Sequence, residues 1–189
     1  MYLCGDMDSN ELRQRSPYKR GADYGAVFGV YLSVLFLLTA YSLEIPGFSI
    51  LAFFLMLFVP VIIYVMLRRS YVADMGKTIF SSLWMEGIVI FACGSMIAAV
   101  VAIVFMRWIE PDYIERTLRS VIEMYSSGIM GERGTEVAEI LQAAIDQKRV
   151  PKPIELVIDM LWLEVFTGSM LSMLMALLVQ ARGYKPKKM

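Results

Sequence analysis

Hydrophobic residues along the chain fall into four long runs, separated by short polar links and one longer polar segment. A helix needs about 20 apolar residues to cross the hydrocarbon core of a bilayer, and each run is long enough. The pattern predicts transmembrane helices over 22–43, 48–67, 79–106 and 154–181. The break at Pro46-Gly47 is so short that the first two helices must form a hairpin.

The longer polar segment, 107–153, has helical periodicity of its own. One apolar stripe comprises Ile114, Leu118, Val121, Ile122 and Tyr125, and a second comprises Val137, Ile140, Leu141, Ala144 and Ile145. We expect Pro111 at the start of the first helix, a turn at Gly128, Gly131 and Gly134, and Thr135 as the cap of the second helix. Two such helices can pack on each other or lie on a membrane surface. Since each stripe is narrow, they need a third surface: lipid, the ends of the spans or a partner.

Basic residues predict the orientation of the spans. Clusters precede the first span, separate the second from the third, and follow the fourth: Arg13, Arg15, Lys19, Arg20; Arg68, Arg69, Lys77; Arg182, Lys185, Lys187, Lys188. The positive-inside rule places all three clusters, and both termini, in the cytoplasm. We therefore predict an all-α membrane protein, a four-helix transmembrane bundle with an extracytoplasmic helical hairpin between spans three and four. Its predicted segments are a cytoplasmic tail 1–21, spans 22–106, the outer loop 107–153, the last span 154–181 and a basic tail 182–189.

Composition narrows the possible functions. Hydrophobic residues make up 58 % of the chain and the mean hydropathy is +0.58, which favours lipid as the solvent. The 18 basic and 18 acidic residues balance, which argues against nucleic acid as a partner. There is no histidine, and the two cysteines are far apart in the sequence. Without these groups no nucleophile–base pair is recognisable, so we predict no enzyme activity, no cofactor and no metal.

Three carboxylates inside the apolar runs are candidate functional residues: Glu86, Asp159 and Glu164. Ionisable groups within a membrane often line proton or cation pathways. However, the third and fourth runs are longer than a bilayer requires. The interpretation we favour therefore puts Glu86 at the inner interface and Asp159 outside the membrane. Glu164 is then near the outer boundary, where it can reach water or pair with Arg107.

Small residues recur every four positions at the start of the first span: Gly21, Gly25, Gly29 and Ser33. This spacing lets two helices approach closely. We interpret the face as a contact with another helix of the same chain, with self-association as the alternative. Pro60 is expected to kink the second span, as neighbouring helices allow.

Three stretches indicate a family. They are the glycine-spaced 24–29, the block from Arg68 and Arg69 through Gly76 to Trp108-Ile109-Glu110-Pro111-Asp112-Tyr113, and 151–182 with Gly168 and Ser169 in mid-span. In these features the chain resembles the small Bacteroidetes membrane proteins grouped as domain-of-unknown-function family 4199. The central block departs from the family pattern, in which two adjacent glycines precede the third span. The resemblance implies an inner-membrane bundle of four spans and brings no activity and no functional residues.

Three functions remain open. The first is an accessory or scaffolding subunit that docks on another envelope protein, with the lipid bilayer and a membrane-protein partner or a second copy as its contacts. The second is a small oligomeric transporter or channel that uses Glu164 and Glu86. The third is a lipid-modifying enzyme that holds a metal with Glu155, Asp159 and Glu164 at the outer face. We favour the first, because the sequence shows a helix-packing face and outer stripes in place of catalytic signatures.

Overall fold

The computed structural model describes residues 16–42, 45–126, 132–147 and 152–183, and every regular element in these ranges is helical. The helices are α1 (Pro17–Tyr41), α2 (Pro46–Ala73), α3 (Phe80–Val104, continued by a π-helical turn Phe105–Ile109), α4 (Tyr113–Ser126), α5 (Glu132–Asp146) and α6 (Pro153–Ala181). Four of them, α1, α2, α3 and α6, are long and apolar enough to cross a membrane. The prediction of an all-α membrane protein with four spans is confirmed.

Two helices continue past one end of the apolar run from which they were predicted, α1 at its start and α2 at its end. α1 begins at Pro17 instead of residue 22, because Pro is favoured in the first turn and Ser16 Oγ accepts a hydrogen bond from the backbone N–H of Lys19 (3.4 Å). α2 continues to Ala73 and closes with a hydrogen bond from Gly76 N to Tyr71 O (2.9 Å). The positive φ of Gly76, 73°, makes this closure possible.

The chain divides into two compact units, one ending at Ala98 and resuming at Leu161, the other covering Ala99–Met160. In the first unit all four spanning helices contribute to one apolar core, which includes Phe28, Ile63, Leu83 and Val179. The α2 helix continues through Pro60. The Tyr31 hydroxyl of α1 donates to the carbonyl of Leu55, in the turn before that proline.

Polar contacts define one end of this first unit, which we call the basal end: α1 and α3 begin there, and α2 and α6 end there. At this end Gln180 Nε2 of α6 donates to the carbonyl of Thr78, just before α3 (3.3 Å). Arg68 of α2 donates to the carbonyl of Gly183, just after α6 (3.5 Å). The hydrophobic core is therefore bounded by polar residues on the side where the sequence has its basic clusters.

The second unit contains α4 and α5, which pack on each other. Two of its predicted details were wrong. Pro111 lies in a turn and α4 begins at Tyr113, because Glu110 ends the π-helical turn through its N–H to Phe105 O (2.9 Å). Gly134 and Thr135 lie inside the first turn of α5, which begins at Glu132, so Thr135 is not its cap.

Some predicted features lie outside the described residues. They are most of the N-terminal tail, the turn glycines Gly128 and Gly131, Pro151, and the basic tail with Lys185, Lys187 and Lys188.

Candidate functional site

The small-residue face of α1 lies against α3 of the same chain. A Cβ atom at Gly21 would lie 3.0 Å from Val89 Cβ, and one at Gly25 would lie 2.7 Å from Cys93 Cβ. At Gly29 the corresponding neighbour is Ile97 Cβ, at 2.8 Å. Because successive glycines meet α3 residues in the same order, the two helices run parallel. Ser33, the last member of the face, is buried and its hydroxyl donates to the carbonyl of Gly29 (2.7 Å).

The α6 helix packs on a different face of α3, in the opposite direction. A Cβ atom at Gly87 would lie 2.6 Å from Ser172 Cβ, and one at Gly168 would lie 2.4 Å from the Phe91 ring. Trp84 Nε1 of α3 also donates to the carbonyl of Ser169 (3.1 Å). The backbones can come this close only because one partner at each level is glycine. Glycines therefore determine the position of α3 on two sides.

An ion pair connects the start of α1 to the link between α2 and α3. Both terminal nitrogens of Arg20 donate to the carboxylate of Asp74, each at 2.8 Å. Only 2 % of the Arg20 side chain is exposed. Thr78 Oγ1 donates to the same carboxylate (2.6 Å). A bidentate arginine–carboxylate pair is the strongest such geometry, so this contact fixes α1 against the link.

Glu86 lies beside this ion pair. Its side chain is fully buried, and Ser70 Oγ of α2 donates to one carboxyl oxygen. The other oxygen, Oε2, has no hydrogen-bond partner among the described residues. Glu86 is therefore a carboxyl group buried between the helices, with one acceptor unused among the described residues.

The other two candidate carboxylates lie elsewhere. Glu164 of α6 is partly buried and faces the hydroxyl of Ser95 on α3. This hydroxyl makes no hydrogen bond of good geometry within the described part of the chain. Ser95 lies nine residues beyond Glu86 on α3, about 13 Å along the helix axis at 1.5 Å per residue, so Glu86 and Glu164 occupy different levels. Asp159 is exposed.

No metal site is recognisable at the start of α6. Glu155 Oε2 accepts a hydrogen bond from the backbone N–H of Lys152 (3.2 Å), so this carboxylate caps its own helix. Across the described ranges, no group of three or more His, Cys, Asp or Glu side chains is placed to hold a metal ion.

In the second unit, ion pairs connect charged residues of α4 to one another and to the preceding turn. Arg116 pairs with Glu110, and Arg119 Nη2 pairs with Glu115 at 2.7 Å, which raises the pKa of Arg119. Burial raises the pKa of the Tyr113 hydroxyl, whose ring packs edge-on against Phe105. These contacts stabilise the start of α4 and form no cleft with catalytic groups.

Arg20, Ser70 and Asp74, which contact one another or Glu86 at the basal end, were not identified from the sequence as candidate site residues. The sequence contains a feature that could have identified two of them, Asp74 and Arg20. Asp74 is the one acid within the basic cluster of Arg68, Arg69 and Lys77, and Arg20 immediately precedes the glycine face of α1. Ser70 carries no comparable signal, because a serine in a membrane helix usually bonds to its own backbone.

Comparison with known proteins gives a family without an activity. The profile of a family described as "Protein of unknown function (DUF4199)" matches residues 23–181. No curated protein and no solved structure matches the chain. The matched residues extend from the second turn of α1 to the end of α6 and include every candidate residue above except Arg20 and Gly21. The chain belongs to the DUF4199 family of proteins of unknown function.

Proposed function

We propose that the chain is a non-enzymatic accessory or scaffolding subunit of an envelope process, in the inner membrane of a bacterium of the Bacteroidetes. Both termini then lie in the cytoplasm, because the basic residues Arg68, Arg69, Lys77 and Arg182 gather at the basal end. The α4–α5 pair lies on the far side of the membrane.

The observation that carries this proposal is the exposed apolar surface of α5. Its residues Val137 and Ile140 share one helix face, and 63 % of the Ile140 side chain is exposed although α4 packs on α5. Met124 of α4 is exposed as well. Apolar surface outside the hydrocarbon core is covered in most proteins by a partner or by the membrane surface.

The polar groups within the spans support the same function. Arg20 and Thr78 both donate to Asp74, and Ser70 donates to Glu86. These contacts connect α1, α2 and α3 and stabilise the packing of the three helices. A scaffolding subunit needs a stable bundle of this kind.

Photo-crosslinking in native membranes tests this proposal. A benzophenone amino acid at Ile140 should crosslink to one other envelope protein, giving a single new band that mass spectrometry identifies. The matched control is the same amino acid at Glu139, an exposed polar position of the same helix. Crosslinks at Ile140 to lipid alone would contradict the proposal.

A second candidate function, proton-linked transport, is favoured by the unused carboxyl oxygen of Glu86. A buried intramembrane carboxyl group with a free acceptor is a typical member of a proton relay. Ser172 and Ser95 are also buried with hydroxyls that lack partners in the described structure, and they lie along the α3–α6 contact. Proton relays in pumps and transporters use chains of such groups.

Proton flux into liposomes containing the purified chain tests this second candidate. A potassium diffusion potential should acidify liposomes with the wild-type chain, and Glu86→Gln should remove that flux. Glu155→Gln, an exposed helix-capping position, serves as the control and should leave it unchanged. Equal flux in the wild type and in Glu86→Gln would exclude this function for Glu86.

A further inference from the structure

A groove of about 580 Å³ lies between α2 and α6, near the basal end. Its walls are apolar: Pro60 and Val61 belong to α2, and Met175 and Leu178 belong to α6. Both helices are membrane spans, and Val61 and Leu178 are exposed on their outer surface. The groove is therefore accessible to hydrocarbon chains of the surrounding bilayer.

The basal end of the groove is polar and positively charged. Arg182 and Tyr64 line it, and Arg182 Nη1 donates to the Tyr64 hydroxyl (3.2 Å). Arg182 is exposed and forms no ion pair with any described carboxylate. Arg68, one turn beyond Tyr64 on α2, adds a second cation to this end. No acidic side chain lies among the described residues that line the groove.

We propose that this groove binds an anionic phospholipid, with one acyl chain between α2 and α6 and the phosphate against Arg182. The charge arrangement selects this occupant, because a cation that pairs with no described carboxylate lies at the polar end of an otherwise apolar groove. Guanidinium groups match the geometry of phosphate oxygens. Basic pockets between membrane helices at the cytoplasmic face bind lipid headgroups in the same manner.

Native mass spectrometry of the delipidated full-length chain tests whether the charge of the headgroup determines lipid binding. The probes are dioleoyl phosphatidylglycerol and dioleoyl phosphatidylcholine, which have the same acyl chains and differ in net charge. The wild type should bind the anionic lipid more tightly. Arg182→Gln should weaken that binding about fivefold, as the loss of one cation near an anionic headgroup predicts. Lys77→Gln, which removes an exposed basal cation that does not line the groove, should have no effect.

A groove-filling variant tests the acyl chain separately. Val61→Trp should weaken binding of both lipids, because the indole occupies the space between the helices. Val65→Trp, at an exposed α2 position that does not line the groove, is the matched control and should leave binding unchanged. Both positions face outward, so neither substitution disturbs the core.

The proposal is overturned if the wild type binds the two lipids equally or if Arg182→Gln and Lys77→Gln behave alike. Displacement of the bound lipid by millimolar inorganic phosphate would also contradict it, because free phosphate lacks the chain that fills the groove. The proposal does not depend on the accessory function, since the lipid is measured on the purified chain without a partner.

Discussion

Gly168 of α6 lies directly against the ring of Phe91 in α3, so closely that a Cβ atom at Gly168 would lie 2.4 Å from two ring carbons. Phe91 also packs edge-on against Phe28 of α1, with ring centroids 5.1 Å apart. The ring therefore cannot move away from α6 without displacing α1. This one contact connects three of the four spans.

Gly168→Ala should destabilise the bundle by roughly 1–3 kcal/mol, the usual cost of adding a methyl group to a filled core. The free energy of unfolding, measured by circular dichroism in mixed micelles during titration with sodium dodecyl sulfate, checks this value. Gly47→Ala is the control, because a Cβ atom there meets nothing within 4 Å. If both variants unfold like the wild type, the close approach of α6 to Phe91 is wrong.

The parallel contact of α1 with α3 predicts a specific disulfide. In a Cys4→Ser background, Gly25→Cys should crosslink to the native Cys93 on mild oxidation, since the Cβ atom at residue 25 would lie 2.7 Å from Cys93 Cβ. The helices must separate by about 1 Å to reach the usual Cβ–Cβ distance of a disulfide. A difference in electrophoretic mobility between samples run with and without reductant reports the crosslink.

Ala26→Cys is the control for this crosslink, because residue 26 is exposed and lies one position off the glycine face. Equal rates of disulfide formation at residues 25 and 26 would show that α1 has another rotation about its axis.

Asp74→Asn should cost roughly 3 kcal/mol of unfolding free energy, because it leaves the buried guanidinium of Arg20 without its carboxylate. Thr78 can still donate to the asparagine side chain, so the effect reports on the Arg20 contact. The double variant Arg20→Met/Asp74→Leu should recover part of the loss, since it removes both charges of the ion pair together. A double variant that is less stable than Asp74→Asn would contradict this explanation.

Ser70→Ala should destabilise the chain by about 1–3 kcal/mol, because it removes a hydrogen-bond donor to the buried Glu86 carboxyl group. Ser81→Ala, at an exposed position near the start of α3, should have little effect. Thermal unfolding in detergent, followed for both variants side by side, measures the difference. Similar losses at residues 70 and 81 would mean that the Ser70–Glu86 contact does not stabilise the fold.

Much of the fold follows from the sequence, because the hydropathy of about 20 consecutive residues indicates whether a helix is surrounded by lipid or by water. It predicted α1, α2, α3 and α6. It did not give the helix ends, since an apolar run ends with the hydrocarbon while backbone hydrogen bonding continues to Pro17 and Ala73. The start of α4 was wrong for a similar reason. A π-helical turn before Glu110 extends α3 to a point that residue spacing alone does not reveal.

The candidate site was less accessible from the sequence. Spacing identified Glu86 and Glu164 as unusual, but it could not supply the partners, which come from other helices. Whether a carboxylate lies at the interface or in the core depends on which face of the helix it occupies after packing. Ser70 of α2 contacts Glu86, and Ser95 of α3 faces Glu164, so both neighbours belong to other helices.

Extraction of the chain from native membranes into lipid nanodiscs, followed by mass measurement of the intact complex, tests the central claim most directly. The accessory function predicts a second protein in fixed stoichiometry, lost from the complex when Ile140 is replaced by Glu while the bundle stays folded. A homogeneous particle that contains this chain alone, unchanged by Ile140→Glu, would contradict it.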